Sequence, residues 1–348
     1  TKTFMIRPHL SLLLLPMNKK KNLIFFLIFI LLFNCSFDKK TGIWSGNEKE
    51  KIRVVELEKE QETKVVDSIY LSEGTYSKEI SLAKKISISK PKKNLSWEMS
   101  SLNQQNFLGN IYLSGIDNIF LKKKIGKNKF SVSKIISSPL AFENNIIFSD
   151  NNGTIFNINQ NGELNWKKNI YKKIYKKVYK NLVFSIYQNN IYVADNIGFI
   201  YSIDLNNGKL VWIKNHGIPM KSNIKIYKNK IFLINQDNRI LCFNTRNGSK
   251  IWDVRSVPSF IKLQNFLSSA ISKQGDLIAI NSSGDLLKIK ANDGRVDWSL
   301  NTLESTFAHA TDFFKSSEIV ITNDNIIFSS KSSIFSFNLN TGYTNWKQ

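Results

Sequence analysis

Short runs that alternate between apolar and polar residues recur along most of this chain. Five of them begin at Asn145, Asn190, Lys230, Asp276 and Asn325. Runs of this length, bounded by Asn, Asp and Gly, are typical of β-strands. Each run is followed a few residues later by a second one, so the pattern predicts a series of β-hairpins. The predicted fold class is therefore all-β.

The second run of each hairpin opens a longer repeat, of which "GFIYSIDLNNGKLVW" is the clearest copy. Five copies are present, and in each a glycine stands four residues before a tryptophan. The pairs are Gly162 and Trp166, Gly208 and Trp212, Gly248 and Trp252, Gly294 and Trp298, and Gly342 and Trp346. Successive tryptophans are 46, 40, 46 and 48 residues apart. This spacing is the size of a four-stranded propeller blade.

The chemistry inside one repeat explains its conserved spacing within this chain. An Asn or Asp ends the third strand in four copies, at Asn159, Asp204, Asn244 and Asn338, whereas Lys290 takes this position in the fourth. An Asn or Asp side chain can cap a tight turn, and the following glycine can adopt the left-handed backbone that the turn requires. The large ring of the tryptophan is expected to wedge against the neighbouring blade.

The N-terminal part has the features of a targeting segment. Residues 17–34 contain a basic start and a short apolar run, which together predict a signal peptide. Leu32 stands three residues before Cys35, as in a bacterial lipobox, so lipid modification of Cys35 is expected, with a buried free cysteine as the alternative. Residues 1–16 precede the first methionine of this signal and are interpreted as upstream non-native sequence.

Composition and charge narrow the class of protein. Apolar residues make up 42% of the chain, which indicates a globular protein, and the formal net charge is +22. A basic balance can indicate binding to nucleic acid. Here the lysines are spread through turns and linkers without a recognition module, so no nucleic-acid partner is expected. Residues 35–94 are densely charged and predict a periplasmic tether, which leaves 95–348 for the propeller.

The repeat resembles that of PQQ-like (pyrrolo-quinoline quinone-like) β-propellers, and the signal, tether and propeller together are similar to the outer-membrane assembly lipoproteins of that family. The resemblance implies eight four-stranded blades, closed by an N-terminal strand. Residues 120–130 would be that strand, with Phe120 in place of the usual tryptophan. About five blades of the expected eight are then present, and the propeller is truncated at its C-terminus. A closed five-bladed propeller is the alternative.

Quinoprotein dehydrogenases share this repeat, and the resemblance implies for them a vicinal cysteine pair, calcium ligands and a general-base Asp. The sequence has Cys35 and Cys242 and no such pair, and Cys242 lies in an alternating strand where a buried apolar residue is expected. His216 and His309 lack neighbours at metal-ligand spacing. We therefore expect no catalytic, cofactor or metal site. A PQQ-binding or other ligand-binding propeller, related to quinoprotein dehydrogenases, is the alternative.

The resemblance also implies a role in assembling outer-membrane β-barrel proteins. Family members sit at the periplasmic face of the outer membrane in Gram-negative bacteria, as monomers within a hetero-complex, and bind the barrel-forming partner (BamA-like periplasmic domains) through propeller loops. The stretch "VPSFIKLQNF" corresponds to such a loop, and its candidate contact residues are Ser259, Phe260, Ile261, Lys262 and Leu263. A strand of the fourth blade is the alternative. Asp312 is a candidate in the next loop, where Lys315 replaces a second acid.

The stretch "NIYKKIYKKVYK" is a second candidate for binding. Its tyrosines, Tyr171, Tyr175 and Tyr179, stand between pairs of lysines and could stack on bases or lie at a membrane interface. A loop between blades with solvated lysines is the alternative, because runs of charge usually face water.

Overall fold

The computed structural model describes residues 87–115, 119–126, 138–175, 177–256, 267–302, 315–330 and 333–348, together with the backbone of four residues nearer the N-terminus. Two compact units are present, Thr1–Val65 and Val66–Gln348. In the first, the described backbone is the antiparallel pair β1 (Ser36–Phe37) and β2 (Trp44–Ser45). Within the described ranges, no helix is long and apolar enough to cross a membrane.

The described residues of the second unit form five four-stranded antiparallel sheets, each built from four strands consecutive in the chain. Blade 1 is β3 (Leu140–Phe142), β4 (Asn145–Ser149), β5 (Ile155–Ile158) and β6 (Leu164–Lys168). Blade 2 is β7 (Leu182–Tyr187), β8 (Asn190–Asp195), β9 (Phe199–Asp204) and β10 (Leu210–Asn215). Blade 3 is β11 (Lys225–Tyr227), β12 (Lys230–Ile234), β13 (Arg239–Asn244) and β14 (Lys250–Arg255). Blade 4 is β15 (Ser268–Ile271), β16 (Asp276–Ile280), β17 (Asp285–Lys290) and β18 (Val296–Asn301). Blade 5 is β19 (Val320–Thr322), β20 (Asn325–Ser330), β21 (Ser333–Asn338) and β22 (Thr344–Lys347).

The five strands predicted from the alternating runs are the second strands of the five blades, and each begins at the predicted residue. The prediction of an all-β fold with four-stranded blades is thus confirmed. Every blade has the same irregularity: the register between its third and fourth strands shifts by one residue, as in blade 2 between Leu210 and Trp212. This bulge lies just before the tryptophan and re-aims its side chain relative to the strand.

The hydrophobic core lies between consecutive blades. One cluster joins Tyr192 and Ile200 of blade 2 to Ile226 and Phe243 of blade 3, and three equivalent clusters join the other neighbouring blades. The central strands are buried on both faces, as in β8 and β12. Because each sheet buries its faces against its neighbours, stability depends on stacking rather than on any one sheet.

A contact between tryptophan and glycine links each blade to the next. The ring of Trp166 packs on Gly208, and the same contact joins Trp212 to Gly248, Trp252 to Gly294 and Trp298 to Gly342. The indole N–H groups of these tryptophans donate to the carbonyls of Leu205, Thr245, Ala291 and Leu339, with N–O distances of 2.8, 2.8, 3.3 and 3.3 Å. Each acceptor directly follows the residue that ends the third strand of the next blade, so one ring fixes both the turn and the strand.

The turns beneath these rings are capped by side chains. Oδ1 of Asp204 accepts from the backbone N–H groups of Asn206 and Asn207 at 2.9 and 3.0 Å, and Asn159, Asn244 and Asn338 cap their turns in the same way. At Lys290 the backbone turn is kept, because the Gly294 N–H donates to the Lys290 carbonyl. The lysine side chain, however, has no oxygen that could cap this turn. Its Nζ instead donates to Oδ1 of Asp276 at 2.7 Å.

The contact at Gly162 differs from the prediction. The side chain of Leu121 covers this glycine, and Nζ of Lys123 donates to the Gly162 carbonyl at 2.6 Å. Phe120, which the sequence places in this role, is 73% exposed. Residues 119–126 form no strand, whereas 127–130 lie outside the described residues. Within the described residues, Leu121 and Lys123 rather than Phe120 therefore cover the first blade's turn.

A second segment, residues 97–106, pairs as single bridges at its start and turns at residues 100–105. It contacts the first strand of every blade, and we refer to it as the crossing segment. Its backbone pairs with Ala141 of β3 and, through Met99, with Ser185 of β7. Its later residues bond to β11, β15 and β19 or to the residues adjoining them. The first strands of consecutive blades are themselves neighbours, so the crossing segment runs over a continuous row of strands.

Candidate functional site

The ends of the sheets that carry the blade-to-blade connections form the candidate site, and we call this end the connection face. It includes the turns between second and third strands at Asp150, Asp195, Asn235 and Asn281. Each of these residues uses Oδ1 to accept at least two backbone N–H groups, as Asp195 does from Ile197, Gly198 and Phe199 at 2.8–2.9 Å. The carboxylates of Asp150 and Asp195 are thus committed to turn capping.

The connections leave the fourth strands beside these turns. The N–H of His216 donates to the Gly198 carbonyl at 2.8 Å, and the N–H of Thr302 donates to the Gly284 carbonyl at 2.9 Å. Oγ of Ser256 donates to the Asn238 carbonyl at 2.9 Å. The starts of three connections are therefore fixed by hydrogen bonds to the turns of the connection face.

Several predicted site residues lie outside the described residues. Cys35, Asp312 and the candidate contact loop fall in this category, and the loop residues are Ser259, Phe260, Ile261, Lys262 and Leu263. In the sequence, the loop residues lie between β14 and β15, Asp312 lies between β18 and β19, and Cys35 precedes β1. Lys315, at the end of the second connection, is exposed, and its carbonyl accepts from Oγ of Ser330 at 3.1 Å.

The connection between blades 1 and 2 is described almost completely and contains a short 3₁₀ helix at Lys173–Tyr175. Its inward side is aromatic: the rings of Tyr171, Tyr175 and Phe199 meet edge to face, with centroids 5.6–6.4 Å apart. The Tyr171 hydroxyl donates to Oδ2 of Asp195 at 2.5 Å. The tyrosine ring also packs directly on Gly153. Tyr171 is thus anchored in the protein and is not free to stack on a base.

Lys180, predicted as one of the solvated lysines, is buried in this cluster. Its Nζ donates to the carbonyl of Tyr175 and lies 5.3 Å from the ring centre of Tyr171. Burial lowers its pKa, although the nearby carboxylates of Asp150 and Asp195 oppose this shift. The lysine therefore neutralises part of the charge that the turn carboxylates bring beneath the connection.

Burial also has the largest effect on the pKa values of Asp195 and Tyr171, which belong to the same cluster. It raises the pKa of Asp195, against the opposing effect of the hydrogen bond from Tyr171 and those from the turn. It raises the pKa of Tyr171 far above its ordinary value, and the negative charges that Tyr201 and Asp195 can carry act in the same direction. Tyr171 consequently remains protonated and acts as a hydrogen-bond donor. The cluster has the chemistry of an anchor for the connection.

The outward side of the same connection is basic and apolar. Lys172, Lys173 and Lys177 are exposed, and so are Ile174, at 79%, and Val178. The cluster below holds these side chains outward on the connection face. Of the two interpretations of this stretch, the structure favours a loop between blades, with Tyr171 and Tyr175 turned inward and Lys172, Lys173 and Lys177 exposed.

The remaining titratable candidates are packed into the fold. The ring of His216 packs against that of Phe243 with ring centres 4.7 Å apart and the planes tilted by 45°. Its pKa is lowered by burial and then by Lys250 and Lys214. Cys242 is a free, fully buried cysteine whose pKa burial raises to about 12. In the part of the chain that the structure describes, no three His, Cys, Asp or Glu side chains are grouped as a metal site would require.

Four-stranded antiparallel blades, joined by a tryptophan of one blade against a glycine turn of the next, define a PQQ-like β-propeller. Comparison with known families agrees with this class. A model of the family described as outer membrane protein assembly factor BamB matches residues 151–348, and the chain belongs to that family.

Individual relatives show how far the similarity extends. BamB of Salmonella typhimurium is 27% identical over 105 residues, which are 30% of this chain and 25% of that protein. The crystal structure of BamB from Moraxella catarrhalis has a TM-score of 0.52 at 11% identity and covers 62% of this chain and 66% of its own. Quinohemoprotein alcohol dehydrogenase from Comamonas testosteroni has a TM-score of 0.55 at 12% identity, covering 73% of this chain and 49% of its own. The chain thus matches less than two thirds of each relative, and the structural likeness concerns the fold.

Sequence reasoning missed the crossing segment. The stretch "LNQQN" inside it offered one signal, because four amide side chains within five residues can satisfy many backbone groups at once. Its partners lie up to 213 residues away in the chain, so local patterns could not indicate where those amides bind.

Proposed function

We propose that this chain is a non-catalytic scaffold of the machinery that assembles β-barrel proteins in the outer membrane. The observation that carries this proposal is the match of residues 151–348 to the BamB family. In the proposal, the propeller binds the periplasmic domains of the barrel-forming partner (BamA-like) through its loops, as a monomer within a hetero-complex. Lipid on Cys35 and the tether 35–94 hold it at the periplasmic face of the outer membrane.

The connection face is the proposed partner surface. The contact residues proposed there are Ser259, Phe260, Ile261, Lys262, Leu263 and Asp312. The connections that contain them start at Ser256 and Thr302, which are hydrogen-bonded to turns of the connection face. Apolar side chains flanked by a cation are the residue types that dominate protein interfaces. The described ends of both connections therefore support a partner surface at this end of the blades.

The partner claim is tested by recovery of the complex. The full chain carrying Phe260→Asp and Lys262→Glu, expressed in a Gram-negative host, should recover the barrel-forming partner at least about tenfold less well than the parent, since loss of one hot spot has about this effect. Tyr343→Asp is the matched control, because Tyr343 is 60% exposed in a turn at the opposite ends of the strands. Complexes that lack this partner, or equal recovery by all three chains, would refute the proposal.

The anchor is tested separately from the partner. Cells grown with a labelled fatty acid should incorporate the label into the parent chain and not into Cys35→Ser. The Cys35→Ser chain should then leave the membrane fraction, because a buried acyl chain supplies the attachment. Labelling that persists in Cys35→Ser would remove Cys35 from the proposal and leave the partner surface untouched.

A ligand-binding propeller is the second candidate, and the fold likeness to quinohemoprotein alcohol dehydrogenase favours it. Against it, the sequence has no adjacent cysteines, and the turn carboxylates Asp150 and Asp195 are already bonded to backbone N–H groups. Purified protein incubated with PQQ and Ca²⁺ is expected to show no change in quinone absorbance and no dye reduction with alcohols. Either signal would establish the second candidate.

A further inference from the structure

The free edges of the first strands are the starting point. Each first strand pairs with one neighbour inside its blade, the second strand. Its other edge carries backbone N–H and C=O groups with no partner inside the sheet, and such an edge is a template for another extended chain. Five such edges lie in a row, because the first strands of consecutive blades are neighbours. We call this row the strand track.

The first half of the crossing segment binds the strand track through its backbone. Trp97 exchanges two hydrogen bonds with Ala141, at 2.6 and 3.1 Å, and the Ile186 N–H donates to the Glu98 carbonyl at 2.7 Å. Met99 pairs with Ser185 as an isolated antiparallel bridge. This is strand addition to the edges of blades 1 and 2.

The second half binds through amide side chains as well as backbone. Nε2 of Gln104 donates to the Ile226 carbonyl at 2.5 Å, and Nε2 of Gln105 donates to the Ile271 carbonyl at 2.9 Å. The N–H groups of Ile271 and Ile321 donate to the carbonyls of Gln104 and Gln105 at 2.8 and 2.9 Å. Three different blades are therefore bound by two consecutive glutamines.

Asn106 completes this set and is the most deeply bonded residue of the crossing segment. Its Nδ2 donates to the carbonyls of Ser269 and Ile319, at 3.0 and 2.7 Å, so it bridges blades 4 and 5. Its Oδ1 accepts from the buried Nζ of Lys225 at 2.5 Å, and that Nζ also donates to the Asn103 carbonyl at 2.9 Å. Loss of this amide would remove one hydrogen bond from each of three blades.

The crossing segment contains residues in a strained backbone conformation, and polar groups of the first strands near it are left without hydrogen bonds. Ser101, Leu102 and Asn106 have φ angles of +60°, +69° and +55°, a conformation that L-residues such as leucine adopt at a cost. Two buried hydroxyls on the strand track, Ser185 and Ser269, have no hydrogen-bond partner within the described residues. Two buried polar groups of the first strands are therefore left without a bond among the described residues.

We propose that the strand track is a binding site for an amide-rich polypeptide segment that pairs as a strand at one end and turns at the other, filled in this structure by the chain's own crossing segment. A segment of another polypeptide with amides at the positions of Gln104, Gln105 and Asn106 would bind in its place when the crossing segment leaves. The proposal does not depend on the scaffold function, because it concerns the first strands and not the connection face.

The test uses a labelled peptide with the sequence of residues 95–108, "LSWEMSSLNQQNFL". The parent full-length chain should bind it weakly, because an intramolecular occupant acts at an effective concentration near the millimolar range. The Asn106→Ala chain should bind it at least about tenfold more tightly by fluorescence anisotropy, because its own segment has lost buried hydrogen bonds. A control peptide with alanine at Gln104, Gln105 and Asn106 should bind neither chain.

A second experiment uses a reversible disulfide lock that holds the crossing segment on the strand track. Met99→Cys with Ser185→Cys, in a chain with Cys35→Ala and Cys242→Ala, places two cysteines opposite each other in an antiparallel bridge, where Cβ atoms are close enough for a disulfide. Peptide binding should vanish on oxidation of a chain that also carries Asn106→Ala and return on reduction. Leu113→Cys with Ser185→Cys is the control pair, because Leu113 is exposed.

Equal peptide binding by the parent and Asn106→Ala chains, binding unaffected by the lock, or no binding by a folded Asn106→Ala chain would each overturn the proposal. If circular dichroism shows that Asn106→Ala does not fold, Gln105→Ala replaces it, since that change removes a single side-chain hydrogen bond. A folded Gln105→Ala chain that binds no more peptide than the parent would overturn the proposal equally.

Discussion

Gly248 lies directly beneath the ring of Trp212, so the contact between blades 2 and 3 tolerates no added atom there. A Cβ at this position would be 2.5 Å from the ring, and the glycine has a φ of +68°. Alanine costs about 1–2 kcal/mol in this conformation, and overpacking adds about 1–3 kcal/mol. Gly248→Ala should therefore lower the free energy of unfolding in urea by about 2–5 kcal/mol.

Gly217 provides a matched control for this prediction. Its φ of +69° is nearly the same, but a Cβ there would meet no atom within 4 Å. Gly217→Ala should lose only the conformational contribution of about 1–2 kcal/mol. Equal losses in the two variants would mean that the tryptophan ring does not constrain the turn.

At the scale of elements, Lys225 bonds β11 to the crossing segment, and its protonation makes the free energy of unfolding depend on pH. Burial lowers its pKa to about 8, against the opposing attraction of Glu318, whereas an unfolded lysine titrates near 10.4. Between these values the unfolded chain keeps a proton that the folded protein releases, so stability should rise with pH and be lowest below about 8. Thermal unfolding of the parent from pH 7 to 10.5, relative to Lys225→Met, should show this rise.

The exposed Lys209 gives the control for that titration. Lys209→Met should follow the parent across the same pH range, because it leaves the buried ammonium in place. Parallel curves for the parent and Lys225→Met would show that Lys225 does not control this dependence.

Elements also differ in how far the sequence could predict them. The second strands and the repeated turns were predictable, because alternation and the spacing of Gly248 and Trp252 are local patterns. The inward position of Lys180 was not, since it depends on carboxylates brought from two other turns. Leu121 could not be distinguished from Phe120 because neither lies in a periodic element. The candidate contact loop lies outside the described residues and stays a prediction.

At the scale of the whole molecule, the crossing segment should couple blades that do not touch one another. It covers backbone N–H groups in blades 2, 4 and 5, those of Ile186, Ile271 and Ile321. If these groups are exposed by one release of the segment, they should share one rate of hydrogen exchange, since cooperative units open together. Asn106→Ala should then accelerate exchange at all three sites by a similar factor of about ten, which corresponds to about 1.4 kcal/mol.

Ile186 decides this prediction, because it bonds to Glu98 and is far along the segment from Asn106. Hydrogen exchange followed by mass spectrometry resolves the peptides that contain Ile186, Ile271 and Val193. Acceleration at Ile186 together with Ile271, while Val193 inside blade 2 is unchanged, requires that the crossing segment detaches as a unit. Acceleration at Ile271 alone would mean that each blade holds its part of the segment independently, and the blades would then be coupled only through the contacts between neighbours.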